Sequence, residues 1–235
     1  MQLLEKEIVI KTHGYPNCSP LTKAVDKSLR QTLAISSKLS NKILEMPGMS
    51  GRQYRRFINN LVYNVLSPSY LEVGSWKGST ACSALFQNKL RAICIDNWSE
   101  FGGTKEEFLE HLNQVLSSDI KFKLIEKDFR LVDYVNLPHL KNNIFFFDGP
   151  HFYQDQYDGI VLSQPALDDE YVLIVDDWNW PQVRLGTYDA IRKCDLYIDY
   201  SIEVRTTLDD TYPDGLVQQN SLWHNGYYVA VCRKQ

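Results

Sequence analysis

The stretch from Pro68 to Asp96 constrains the fold of this chain more than any other. Tyr70-Leu71-Glu72-Val73 is a short apolar run that ends on Gly74, four residues before Gly78. Helix-forming sequence follows, and a second apolar run, Ala92-Ile93-Cys94-Ile95, ends on Asp96. A buried strand entering a glycine turn, then a helix, then a strand ending on an acid, is one β-α-β unit with ligand-binding positions at both strand ends. The glycines restrict the ligand. A dinucleotide site uses Gly-x-Gly-x-x-Gly, because the middle glycine lets the backbone approach a pyrophosphate. Here Trp76 stands at that position. Asp96 lies 22 residues beyond Gly74, close to the roughly 20-residue interval at which an acid takes ribose hydroxyls. The unit therefore asks for a ribose without a diphosphate.

The β-α rhythm continues downstream. Phe122–Lys127, Asn143–Asp148 and Tyr171–Asp177 read as strands, alternating or continuously apolar. Helices are expected from Thr104 to about Leu116, with Glu107 completing a capping box, from Phe152 to Leu162, and from Pro181 to about Lys193. Three strands then follow closely, at Tyr197–Thr207, Leu216–Trp223 and Tyr227–Arg233, with Asn225-Gly226 as a hairpin signal and Asp209–Gly215 as a turn-rich insertion. Upstream, Ile8–Ile10 is a candidate strand and Leu21–Glu45 a helix stopped by Met46-Pro47-Gly48. Ser50 and Gln53 suggest a capping box for the next helix. That helix carries Tyr54, Phe57, Ile58, Leu61, Val62 and Val65 on one face, and Arg55, Arg56, Asn59 and Asn60 on a face expected to be solvated.

Every strand end is acidic: Glu72 before Gly74, then Asp96, Asp128, Asp148 and the pair Asp176-Asp177. Ligands of open parallel sheets bind beyond these ends, and packing alone does not ask for a carboxylate at each. Such a cluster needs cationic partners, from a ligand or a metal. Asp128 and Asp177 can also cap the helices that follow them.

The motif of acid, apolar residue and Gly-x-x-x-Gly at Glu72–Gly78 resembles that of the class I S-adenosylmethionine (SAM)-dependent methyltransferases. The resemblance runs from about Tyr70 to the C-terminus. It implies an α/β fold, a Rossmann-like seven-stranded, mostly parallel sheet with antiparallel C-terminal strands, preceded by N-terminal helices. Residues 1–66 would form a helical cap and residues 67–235 the methyltransferase domain. By the same resemblance, SAM would meet Glu72, Gly74, Ser75, Gly78, Asp96, Asn97, Trp98, Asp128, Phe129 and Asp148. Asp96 would take the ribose, Asp128 and Phe129 the adenine, and the two glycines would let the tail lie against the backbone. Asp148-Gly149-Pro150-His151 resembles an Asp-Gly-x-His motif of a branch that includes sugar O-methyltransferases. It implies His151 and Asp148 as catalytic residues.

Two readings of the remaining acids stay open. In one, Asp148, Asp176 and Asp177 hold a divalent metal, Mg²⁺ by ligand type, as in metal-dependent O-methyltransferases. In the other the site is metal-free and His151 acts alone. Trp178, Trp180, Tyr153 and Trp223 are candidates to line an acceptor pocket, and Arg52, Arg55 and Arg56 to meet an acidic acceptor. The expected function is O-methylation of a small hydroxylated acceptor, such as a sugar or glycan unit. The alternatives are an NAD-dependent oxidoreductase on a similar sheet, which Trp76 opposes, and a non-catalytic SAM-binding domain.

Composition bounds the rest. The chain has 235 residues, 44% hydrophobic and 23% charged, enough for a full core. A net charge of −4 argues against a duplex nucleic-acid partner. No run of eighteen apolar residues predicts a membrane span. The first residues do not resemble a signal peptide, and five scattered cysteines (18, 82, 94, 194 and 232) fit a reducing, cytoplasmic setting. A homo-oligomer is compatible with all of this.

Overall fold

The computed structural model describes residues 8–102, 104–138, 141–213 and 217–235. Strands β1 (Val9–Gly14), β2 (Ser69–Val73), β3 (Leu90–Asp96), β4 (Ile120–Glu126), β5 (Asn142–Phe147), β6 (Leu167–Asp176), β7 (Leu196–Arg205) and β8 (Tyr227–Lys234) form one sheet in the order β1-β7-β8-β6-β5-β2-β3-β4. The five strands from β6 to β4 run parallel. β8 is antiparallel to β6 and β7, and β7 to β1. This is the expected Rossmann-like arrangement with one strand more: Ile8–Ile10 leads into β1, which extends the sheet beyond β7.

Alternation along the strands divides the core between two faces. Tyr70 and Phe146 belong to one face, with Val25 of α1 (Pro20–Leu33), Phe57, Ile58 and Leu61 of α3 (Arg52–Asn64), Cys82 of α4 (Ser79–Leu85) and Phe108 of α5 (Lys105–Asn113). Leu71, Val73, Phe145 and Phe147 belong to the other, with Ile160 of α6 (Tyr153–Ser163) and Val183 and Ala190 of α7 (Pro181–Lys193). Burying each large apolar side chain stabilises the fold by about 1.5–3 kcal/mol, so the centre of the sheet is rigid and holds its strand ends in place. Strand order reverses between β2 and β5, the position at which such sheets open a ligand crevice. There the Asp148 N–H donates to the Val73 carbonyl at 2.9 Å, so the two strand ends lie side by side.

Several local expectations give way to tertiary contacts. The helix expected over Leu21–Glu45 is broken into α1 and a short α2 (Asn41–Leu44). Ser50 does not cap α3, whose N-cap is Gly51; its hydroxyl instead accepts from Arg55 Nε and meets the Ser79 hydroxyl. Arg55 is not on a solvated face. It is fully buried and donates to the carbonyls of Ile43, Leu44, Met46 and Gly48, at the end of α2 and in the loop that follows it. Asn59 and Asn60 are also buried and bind backbone carbonyls. Thr104 precedes α5 without a side-chain cap, and Glu107 pairs with Lys77 at 2.7 Å. The segment before Trp223 carries a 3-10 turn at Gln218–Asn220 where a strand was expected, with Leu216 outside the described residues. The expected turn at Asp209–Gly215 is described only to Pro213. Asn225-Gly226 does not close a tight hairpin either, since residues 206–226 connect β7 to β8.

Candidate active site

A cavity of about 390 Å³ opens at the C-terminal ends of β2, β3, β4 and β5. Gly74, Ser75, Asp96, Asn97, Trp98, Asp128, Phe129, Asp148 and His151 line it, so the structure brings together most of the residues singled out by sequence. Met49, from the loop before α3, adds an apolar wall that the sequence did not reveal.

The glycine turn is built for backbone packing first. Gly74 has φ +84°, and a Cβ there would lie 1.8 Å from the Asp148 carbonyl oxygen. Gly78 has φ +82°, and a Cβ there would meet the Phe108 ring at 2.8 Å. Gly74 lines the cavity, and its missing side chain also leaves room for the Asp148 backbone just beyond β5, whereas Gly78 is not part of the lining and packs on Phe108. What shapes the turn toward the cavity is Asp96. Its Oδ2 accepts from the backbone N–H of Ser75 at 2.7 Å and of Trp76 at 2.8 Å, and its Oδ1 from Trp98 N–H at 2.7 Å. Oδ2 thus has both lone pairs engaged, while Oδ1 keeps capacity for one further donor, so Asp96 can clamp the loop and still accept from one ligand hydroxyl. Trp98 donates its indole N–H to the Trp76 carbonyl at 3.0 Å and packs on Phe108, doing structural work while it walls the cavity.

Asp128 accepts from the Arg130 N–H at 2.9 Å and caps the short 3-10 turn at Phe129–Leu131. That places Phe129 against Phe147, with ring centroids 5.4 Å apart. Arg130 reaches across to Asp155 and Asp158 on α6, which ties this wall to the helix behind it.

Glu72 lies beneath the turn, outside the cavity lining, and is fully buried. It accepts the Tyr70 hydroxyl proton. Burial pushes its carboxyl up to about 7, against the lowering effect of the hydrogen bonds from Tyr70 and Ser75.

His151 sets an imidazole at the cavity wall. Its Nε2 lies 2.8 Å from Asp177 Oδ2 and 4.0 Å from Asp148 Oδ1, with the ring edge-on to Trp180. Burial lowers the imidazole pKa, but the Asp177 charge and hydrogen bond outweigh it, and the net shift is upward. Asp177 takes the opposite course: burial raises it, the His151 and Asn225 contacts lower it, and the net shift is downward. Asp177 does not cap α7, whose N-cap is Trp180 without a side-chain bond. It sits at φ +55°, a conformation uncommon for a non-glycine residue and one that clusters at functional sites. Asn225 was missed by sequence reasoning; a hairpin signal in the sequence concealed a side chain that donates to Asp177 Oδ1 at 2.7 Å.

The three-carboxylate metal site expected at Asp148, Asp176 and Asp177 is not assembled. Among the described residues no group of three or more His, Cys, Asp or Glu side chains is arranged to hold a metal ion. Asp177 is turned to His151 and Asn225, and Asp176 Oδ1 accepts its neighbour's backbone N–H at 2.8 Å. The aromatic candidates divide. Trp178 is in the core, stacked on Tyr228 and bonded to Glu203, and Trp223 is buried. Tyr153 faces out and donates to Asp189, and Trp180 alone stands beside His151. Arg52 bonds the Gln219 carbonyl, away from the cavity.

A doubly wound sheet with this crevice at its switch point has the fold of SAM-dependent methyltransferases. Residues 71–178 match a family model described as a methyltransferase domain. Solved structures with the same fold include a candidate RNA methyltransferase of Pyrococcus horikoshii, 13% identical over 89% of this chain and 97% of that one, with a TM-score of 0.52. A candidate O-methyltransferase of Klebsiella pneumoniae is 11% identical over 89% and 90%, at 0.53. An O-methyltransferase of Streptomyces achromogenes involved in tomaymycin synthesis, in complex with SAM, is 12% identical over 92% and 91%, at 0.50. At such identities these likenesses speak for the fold alone. No curated protein matches the chain in sequence. Among the described residues no helix is long and apolar enough to cross a membrane.

Proposed function

We propose that the protein is a SAM-dependent methyltransferase that methylates a hydroxyl group of a small acceptor, such as a sugar or glycan unit. The carrying observation is the His151–Asp177 pair, 2.8 Å apart at the wall of the strand-end cavity. The cavity fits the cosubstrate: its volume suits a small molecule, and its lining sets carboxylates and aromatic rings along one crevice. SAM, when bound, supplies a methyl group already activated on a sulfonium. Asp96 and Trp98 would hold its ribose side, Asp128 and Phe129 its adenine, and the Gly74-Ser75 backbone its tail. The chain's own task is to orient the acceptor and remove a proton. His151 takes that proton on Nδ1, the ring nitrogen not bound to Asp177, while Asp177 holds Nε2–H and stabilises the resulting imidazolium, and Asp148 flanks the site. An acidic cavity in a chain of net charge −4 supports a small molecule over nucleic acid. Trp76 at the middle position of the turn opposes a nicotinamide dinucleotide.

Thermal-shift measurements with SAM, S-adenosylhomocysteine, NAD and NADP test the cosubstrate, since a ligand of the native state raises its melting temperature. Transfer of labelled methyl from SAM to a panel of hydroxylated acceptors tests the reaction. Stabilisation by NAD but not by S-adenosylhomocysteine overturns the reading. Undiminished transfer in His151→Ala removes its catalytic assignment.

A further inference from the structure

We propose that the acceptor carries an alkylammonium group beside the hydroxyl to be methylated, and that Asp148 and Asp176 bind that group. The inference rests on the function proposed above and names the substrate class of the same site.

Asp148, Asp176 and Glu72 end neighbouring strands on the face covered by α3, and Asp176 comes within side-chain hydrogen-bonding reach of Asp148. Glu72 is fully buried and Asp176 almost so, while Asp148 lines the cavity. The nearby cation is His151, and it is committed to Asp177 at 2.8 Å against 4.0 Å to Asp148. Buried carboxylates without a cation are costly.

A second observation concerns neutral groups. Tyr54 from α3 and Tyr227 from β8 stack face to face with centroids 3.6 Å apart. Both rings are fully buried, both feel the charges of Asp148 and Asp176, and neither phenol oxygen has a hydrogen-bond partner. Two orphaned phenols beside two buried acids that have no full cation of their own call for an explanation. A hydroxyl acceptor alone supplies too few donors. An ammonium group carries three N–H donors and a full positive charge, which matches carboxylate and phenol oxygens together.

The probe is ethanolamine, the smallest molecule with both groups, set against ethylene glycol and against NaCl at equal ionic strength. Each is titrated by calorimetry into protein saturated with S-adenosylhomocysteine. We expect ethanolamine to bind at least roughly tenfold more tightly than ethylene glycol, and expect Asp148→Asn and Asp176→Asn each to erase that ratio. The second variant keeps the test decisive if the first does not fold. Equal binding of the two probes, or a ratio that survives in a folded variant, overturns the proposal. So does ethanolamine binding that occurs only without S-adenosylhomocysteine, because the cation site then belongs to the cosubstrate's own ammonium. Failure of S-adenosylhomocysteine to bind overturns the methyltransferase reading instead, so the two failures are distinguishable.

Discussion

Asn225 donates from Nδ2 to Asp177 Oδ1 at 2.7 Å, while His151 Nε2 stands 2.8 Å from Oδ2 of the same carboxylate. The strand-β6 acid is thus gripped from both sides, by a loop before β8 and by the residue that faces the cavity. A hydrogen bond to a charged group contributes about 1.5–3 kcal/mol. Asn225→Ala is expected to lower turnover by roughly tenfold or more while leaving S-adenosylhomocysteine affinity nearly unchanged. Asn225→Asp, which sets a like charge against Asp177, is expected to be worse. Steady-state kinetics with parallel calorimetry checks both, and wild-type turnover in Asn225→Ala would show that His151 alone fixes Asp177.

The pH dependence follows from the same pair. A base must be neutral to accept a proton, and Asp177 holds the His151 pKa above the ordinary 6.5 despite burial. kcat/KM is therefore expected to rise with pH through a limb above 6.5. In Asp177→Asn the raising charge is gone and burial dominates, so the limb should move to lower pH as the maximum falls by about 10²–10⁴-fold. A limb that stays in place in this variant would assign it to another group.

Glu72 gives a stability prediction of the opposite kind. Its carboxyl is raised to about 7 in the fold by burial, from 4.5 in an exposed chain. Between those values the native state binds more protons than the unfolded state, so stability falls as pH rises through this window. At about 1.4 kcal/mol per pH unit, the effect reaches a few kcal/mol above pH 7. Glu72→Gln keeps an acceptor for Tyr70 and carries no charge. Its melting temperature relative to wild type should be higher at pH 8 than at pH 5, and a constant difference would contradict the buried, protonated state.

Asp96 holds three backbone N–H groups, so its replacement acts on the loop and on any bound ribose together. Asp96→Asn turns one oxygen into an NH₂ that faces donors. S-adenosylhomocysteine affinity is expected to drop by about ten- to hundredfold, from the loss of charge-assisted bonds of roughly 1.5–3 kcal/mol. Calorimetry measures it, and an unchanged Kd would remove Asp96 from the ribose.

Metal removal supplies a fifth contrast. With Asp177 engaged by His151 and Asn225 and no three-ligand group assembled among the described residues, turnover should withstand excess chelator. Adding back Mg²⁺, Mn²⁺ or Ca²⁺ should not increase it. Loss of activity on chelation, restored by one of these ions, would reinstate the carboxylate metal site.

The strand ends were legible because apolar runs punctuated by an acid or a glycine are dictated by local sequence, and Asp96, Asp128, Asp148 and His151 line one cavity at those ends. The rest depended on contacts between distant segments. A helical pattern assigns Arg55 to the polar face, yet the carbonyls it satisfies belong to Ile43–Gly48, which no periodicity of α3 can reveal. Asn225-Gly226 carries a strong turn signal, but Asp177 and Asn179 compete for the same residues: Asn225 binds both their side chains and leaves the connection long. Glycine spacing identified the loop, but not that the Asp148 backbone packs against Gly74 and the Phe108 ring against Gly78, contacts invisible in the chain.

Arg55 has a practical consequence for anyone redirecting this protein to a new acceptor. Its guanidinium fastens the carbonyls on either side of Pro47, and the next turn of that loop presents Met49 to the cavity. A library that varies Met49 and the rim residue Phe152 can reshape the entrance while the fastening stays whole. One that varies Arg55 would loosen the loop that carries Met49, and even lysine, with one ammonium in place of a fork, could not reach all the carbonyls that anchor it.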